Sequence, residues 1–99
     1  MTDLFQTLAD APDHVLQMIG TSLEGRAKDP AQKAILESYI QDLTIDKGAV
    51  VVEIGCGTGP VCRRFAEIGN VDRVVGIEPA AGLVATANQL ATHRKLESQ

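Results

Sequence analysis

The 99-residue sequence predicts an α/β fold: a parallel sheet wound with helices and preceded by a helical segment. Two observations carry this. Residues 1–46 place apolar side chains at helical spacing, whereas from Ala49 the pattern changes to two short β-branched runs, Ala49–Ile54 and Arg73–Glu78, with one helix between them. Strand, helix and strand joined so closely imply parallel strands and a right-handed crossover.

Taken in order, Pro12 suits the first turn of a helix, because its missing N–H needs no partner there. Val15, Met18, Ile19, Ser22 and Leu23 then share one face, and Gly25 with its charged neighbours frays or ends that helix between Thr21 and Asp29. A second helix opens with Asp29 as N-cap, Pro30 in the first helical position and Gln32 as capping-box partner. Its apolar stripe is Ile35, Leu36, Tyr39, Ile40 and Leu43, so Tyr39 is expected in the core.

The run Ala49–Ile54 reads as a buried parallel strand and residues 55–59 as a turn. Pro60 starts a helix with an inner stripe of Val61, Cys62, Phe65 and Ile68 and an exposed outer face at Arg63, Arg64 and Glu67. Gly69-Asn70 stops it, glycine taking the left-handed C-terminal position. After the second strand, a last helix runs from about Ala81 through Leu83, Val84, Ala87, Leu90 and Ala91 into a polar tail.

Composition narrows the function. Net charge is −4, and the nine Lys and Arg residues are spread along the chain, so no basic face marks a nucleic-acid binder. The longest apolar run, Ala49–Val52, is far short of a membrane span, and the acidic start with Asp3 and Asp10 is no signal peptide. A soluble, cytoplasmic protein is expected. Cys56 and Cys62 have no metal or redox spacing and are expected to be reduced packing residues. His14 and His93 lack a second base or metal partner nearby in sequence and read as surface residues; Arg26 reads as solvated.

The chemistry sits in Glu53-Ile54-Gly55-Cys56-Gly57-Thr58-Gly59, a glycine loop between a strand and a helix. Glycines allow a sharp turn and close approach of a ligand to the main chain. About 20 residues further on, Glu78 ends the second strand, where an acid can accept hydrogen bonds from two ribose hydroxyls. Two nucleotide cofactors use such a layout. A dinucleotide loop places a third glycine or an alanine where this chain has Pro60, and pyrophosphate gains from free N–H groups that Pro60 reduces. Glu53 suits an amine-bearing ligand and would repel a pyrophosphate.

Val51–Gly59 resembles motif I of the class I S-adenosylmethionine-dependent methyltransferases, and Val74-Val75-Gly76-Ile77-Glu78-Pro79 resembles their acidic strand end. The resemblance is closest to the methyltransferase-domain type acting on small molecules and covers about residues 47–92. It implies a Rossmann-like domain over residues 47–99, preceded by a helical lid segment, residues 1–46. It further implies S-adenosylmethionine as cofactor, with Gly55, Gly57 and Gly59 along its methionine part and Cys56 and Thr58 also among the cofactor-binding residues. Glu53 would orient the amino group and Glu78 would hold the ribose.

The family continues into a third strand and then a fourth beside the first, so the doubly wound sheet here is expected to be incomplete and the catalytic residues unidentified. The free edge of the first strand would then invite self-association or a partner chain. A noncatalytic binding or protein-interaction fragment is the alternative to a methyltransferase with a small-molecule acceptor, and an NAD-dependent oxidoreductase the third reading.

Overall fold

The computed structural model describes residues 11–91 and 96–98. His93 lies outside the described residues. Among the described residues four helices and three strands follow one another: α1 Asp13–Ala27, α2 Pro30–Asp42, β1 Ala49–Ile54, α3 Pro60–Ala66, β2 Val71–Ile77, α4 Ala81–Leu90 and β3 Leu96–Ser98. The strands form one parallel sheet in the order β1-β2-β3. The fold is therefore a partial Rossmann-like α/β unit, as expected, with a third strand where a polar tail was expected. Leu96 pairs with Val74, Glu97 with Val75 and Ser98 with Gly76, so pairing with β2 makes a strand of a segment that has no strand pattern of its own.

The N-terminal helix is rotated from its expected stripe. Leu16 and Gly20 are buried whereas Met18 is 70% exposed, and the helix runs unbroken through Gly25 to Ala27. Gly20 turns inward because a neighbouring chain segment comes close: a Cβ there would lie 3.2 Å from Thr58 Cγ2. Pro12 itself stands at the N-cap, its carbonyl accepting from the Val15 and Leu16 amides. Asp29 caps α2 as read from sequence, its Oδ1 accepting from the Ala31 amide at 2.8 Å and the Gln32 amide at 3.4 Å; the expected capping box is not formed, because the Asp29 amide donates to the Arg26 carbonyl at 3.1 Å. None of the α2 residues is buried, however, and Tyr39 is 67% exposed, because the stripe it shares with Ile35 and Leu43 meets little of the other described residues.

The main core lies on one face of the sheet. Cys62 and Ala66 of α3 pack with Val71 and Val74 of β2 and with Cys56, and Val51, Phe65, Ile68, Ile45 and Leu96 close around them. Gly76 is required here, since a Cβ would meet Cys56 Sγ at 2.6 Å and Cys62 Sγ at 3.2 Å. A second cluster joins α1 to α4 through Leu16, Ala80 and Leu83. Gly69 does not take a left-handed conformation, and α3 ends instead in an ordinary helical turn at Glu67.

The opposite face of the sheet is uncovered among the described residues. Val50, Val52 and Ile54 are 60%, 56% and 82% exposed, with Ile77 beside Ile54 in register. The expected full burial of β1 is thus corrected to partial burial on one face only. Among the described residues β1 pairs with β2 alone, leaving its other edge open.

Candidate cofactor site

The end of β1 turns back through three left-handed glycines, Gly55 at φ 74°, Gly57 at 58° and Gly59 at 84°. Only glycine adopts such angles at little cost, which explains the spacing of the motif. The turn is laced to the end of β2: the Gly55 and Cys56 amides donate to the Ile77 carbonyl at 2.7 and 3.3 Å. Glu78 follows at once. Its Oε1 accepts from the Gly57 amide at 3.1 Å and its Oε2 from the Ala80 amide at 2.9 Å. One carboxylate therefore clamps the loop after β1 to the start of α4. The Gly59 amide donates to the Cys56 carbonyl at 2.9 Å, completing the turn.

The seven residues singled out in the sequence divide into two groups. Gly55 is exposed, and Glu53 and Glu78 are half-buried, so these present surface to a ligand. Cys56, Gly57, Thr58 and Gly59 are buried, Thr58 completely. Cys56 faces Gly76 and Cys62; both cysteines are buried thiols without a disulfide. The Thr58 hydroxyl donates to Glu24 Oε2 at 2.5 Å.

Glu53 reaches Cys62, whose thiol donates to Oε1 at 3.2 Å. Burial holds the Glu53 carboxyl above its ordinary pKa, an effect partly offset by that hydrogen bond. Burial, reinforced by the neighbouring carboxylate, pushes the Cys62 thiol far above the ordinary range, which leaves it an inert packing group. A half-buried carboxylate whose partner here is a neutral thiol is what an ammonium-bearing ligand would relieve.

Sequence reasoning missed two residues beside the loop. Arg63 and Arg64 do not form an exposed face; each is only partly exposed and holds a carboxylate from an N-terminal helix. Arg63 pairs with Glu24 of α1 and donates to the Thr58 carbonyl at 2.8 Å. Arg64 grips Glu37 of α2 through two hydrogen bonds of 2.5 and 3.0 Å. That bond holds Glu37 below the ordinary carboxylate range. No local pattern announces either pair, since the partners are far apart in sequence.

Residues 51–99 match the sequence profile of a methyltransferase domain. The chain belongs to the class I S-adenosylmethionine-dependent methyltransferase family. A search of curated protein sequences gives no match.

Among solved structures, a chain of the complex between the Haloferax volcanii Trm112 methyltransferase activator and a methyltransferase superposes with a TM-score of 0.70 at 20% identity, covering 93% of this chain and 38% of that one. The 4+2 cyclase SpnF gives 0.58 at 19% identity over 74% of this chain and 29% of its own. Phosphoethanolamine N-methyltransferase 1 of Haemonchus contortus, solved with phosphoethanolamine and S-adenosylhomocysteine, gives 0.53 at 15% identity over 98% of this chain and 23% of its own. These likenesses establish the fold, and the chain spans well under half the length of each. A cyclase among them shows that the fold alone does not fix the reaction.

Proposed function

We propose that this chain forms the S-adenosylmethionine-binding front of a methyltransferase acting on a small molecule. The observation that carries the proposal is the joining of two strand ends at one point: the amide of exposed Gly55 is bonded to the Ile77 carbonyl, and Glu78 stands next in sequence with one oxygen on the Gly57 amide and the other on the Ala80 amide. Each Glu78 oxygen accepts one backbone N–H, and a carboxylate has about four acceptor positions in all. Capacity remains for two ribose hydroxyls. Glu53 supplies a carboxylate toward the amino group of the same ligand.

The geometry disfavours the oxidoreductase reading on a specific count. The amides of Gly55, Cys56, Gly57 and Gly59 all donate within the protein, and Pro60 has none. A pyrophosphate relies on such groups. Arg63 and Arg64 are both engaged with glutamates, which also speaks for a small acceptor over a nucleic acid.

The cofactor, when bound, supplies an electrophilic methyl group on a sulfonium. The task of this chain is then to hold the donor in line with an acceptor, a contribution of position that needs no protein nucleophile. The division into a helical segment, residues 1–46, and a cofactor domain, residues 47–99, is part of the same proposal, as is a partner or a further sheet segment on the open edge of β1. Among the described residues no helix is long and apolar enough to cross a membrane.

Calorimetric titration with S-adenosylhomocysteine and, separately, with NAD tests the cofactor assignment. Saturable heat with the former alone is expected; tighter binding of NAD would reverse the reading.

A further inference from the structure

The buried side of the glycine loop faces α1. A Cβ on Gly57 would come within 2.8 Å of Leu23 Cδ1, and one on Gly20 within 3.2 Å of Thr58 Cγ2, so helix and loop lie in direct contact at two places. Polar bonds complete the contact. Glu24 accepts from the Thr58 hydroxyl through one oxygen and from Arg63 through the other, while Arg63 also donates to the Thr58 carbonyl. Helix, loop and the start of α3 are thereby joined in one closed ring of three residues. The side chains of Arg63 and Glu24 are 24% and 22% exposed, which limits the screening that weakens surface pairs.

We propose that Glu24 is a positioning residue for the cofactor loop: through Thr58 and Arg63 it fixes residues 56–59 from behind, so that Gly55 and Glu78 are presented to the ligand in one arrangement. The need follows from the loop itself. Three left-handed glycines give a shape with a high conformational-entropy cost and no side chains of their own to hold it. Ligand affinity then depends on a brace that is already in place before binding. The Glu24 ring supplies that brace from α1, on the buried side of the loop. This inference rests on the cofactor reading of the loop.

The test uses the intact chain, S-adenosylhomocysteine titration and amide hydrogen exchange. Glu24→Gln keeps the shape and removes the charge. It is expected to weaken S-adenosylhomocysteine on the order of tenfold, the scale of a hydrogen bond to a charged group, and to speed exchange of the Cys56, Gly57 and Gly59 amides in the ligand-free protein. Thr58→Val, which removes only the hydroxyl, is expected to act in the same direction, and Thr58→Ser to restore most of the loss. Glu37→Gln breaks the neighbouring α2–α3 pair and is expected to leave both readouts unchanged.

Wild-type affinity and loop exchange in Glu24→Gln and Thr58→Val would overturn the proposal. So would an equal loss in Glu37→Gln, which would reduce Glu24 to a general structural contact. Should the wild-type chain bind no S-adenosylhomocysteine, the cofactor reading fails, and loop exchange alone still decides whether Glu24 braces the loop.

Discussion

The two ends of β1 live in different environments. At its C-terminal end, the glycine loop is tied by polar bonds to Ile77, Glu78, Glu24 and Arg63. Along its length, Val50, Val52 and Ile54 carry a row of apolar side chains into the open. The loop is held from several sides, by β2, by Glu78 and by the Glu24–Arg63 pair of α1 and α3. The strand behind it has one apolar face uncovered among the described residues. The comparison teaches that the ligand-facing geometry is held by polar bonds from strand, distal acid and the distant helix α1, while the second face of the sheet carries no such ties among the described residues.

The largest expected effect belongs to the ordered end. Glu78→Ala removes the acceptor of two backbone amides as well as the proposed ribose contact. S-Adenosylhomocysteine affinity should fall by at least about tenfold on the energy scale of charged hydrogen bonds. Equal calorimetric affinity for mutant and parent would place the ribose elsewhere. Gly57→Ala should follow closely. Alanine at a φ of 58° costs about 1–2 kcal/mol in left-handed strain, and its methyl group would also press on Leu23. Chemical denaturation should show that loss, and an unchanged midpoint would argue against the loop geometry.

The open face gives the next effect. Val52→Lys should suppress concentration-dependent self-association in light scattering while leaving the helical circular dichroism signal in place, because charge on an exposed edge blocks strand addition. A loss of folded signal would mean that the face is covered within the chain.

The smallest expected effect is at Glu53. Its folded-state pKa lies above the ordinary carboxylate value, so the folded protein binds this proton more tightly than the unfolded chain. The ionised carboxylate therefore opposes folding near neutral pH, and the penalty fades as pH falls through the raised pKa toward the ordinary range. Glu53→Gln should raise the melting temperature near pH 7, with a gain that shrinks in acid, and should weaken the ligand. A gain independent of pH would separate the effect from ionisation.

Much of this was legible in the sequence where the cause is local. The bounds of β1, the Asp29 cap and the strand–glycine loop–helix order follow from β-branched residues, a short acceptor side chain before Pro30 and glycines at fixed spacing. What lay hidden depends on distant partners. Leu96–Ser98 becomes a strand only by pairing with Val74–Gly76. Glu24 meets Thr58 only when α1 folds back over the loop. Helical period grouped Ile35 with Tyr39 correctly, but period cannot say whether anything lies against that stripe, and here both remain exposed. At the loop, sequence named seven residues together, and burial separates the three that present surface from the four held inside.

That separation is the central claim, and amide chemical-shift mapping during S-adenosylhomocysteine titration tests it most directly. The largest shifts are expected at Gly55 and Glu78, with smaller changes at Gly57 relayed through its bond to Glu78. Shifts centred on the start of α3, or on the shallow cleft of Ala34, Ile35, Ser38, Tyr39 and Asp42, would contradict it.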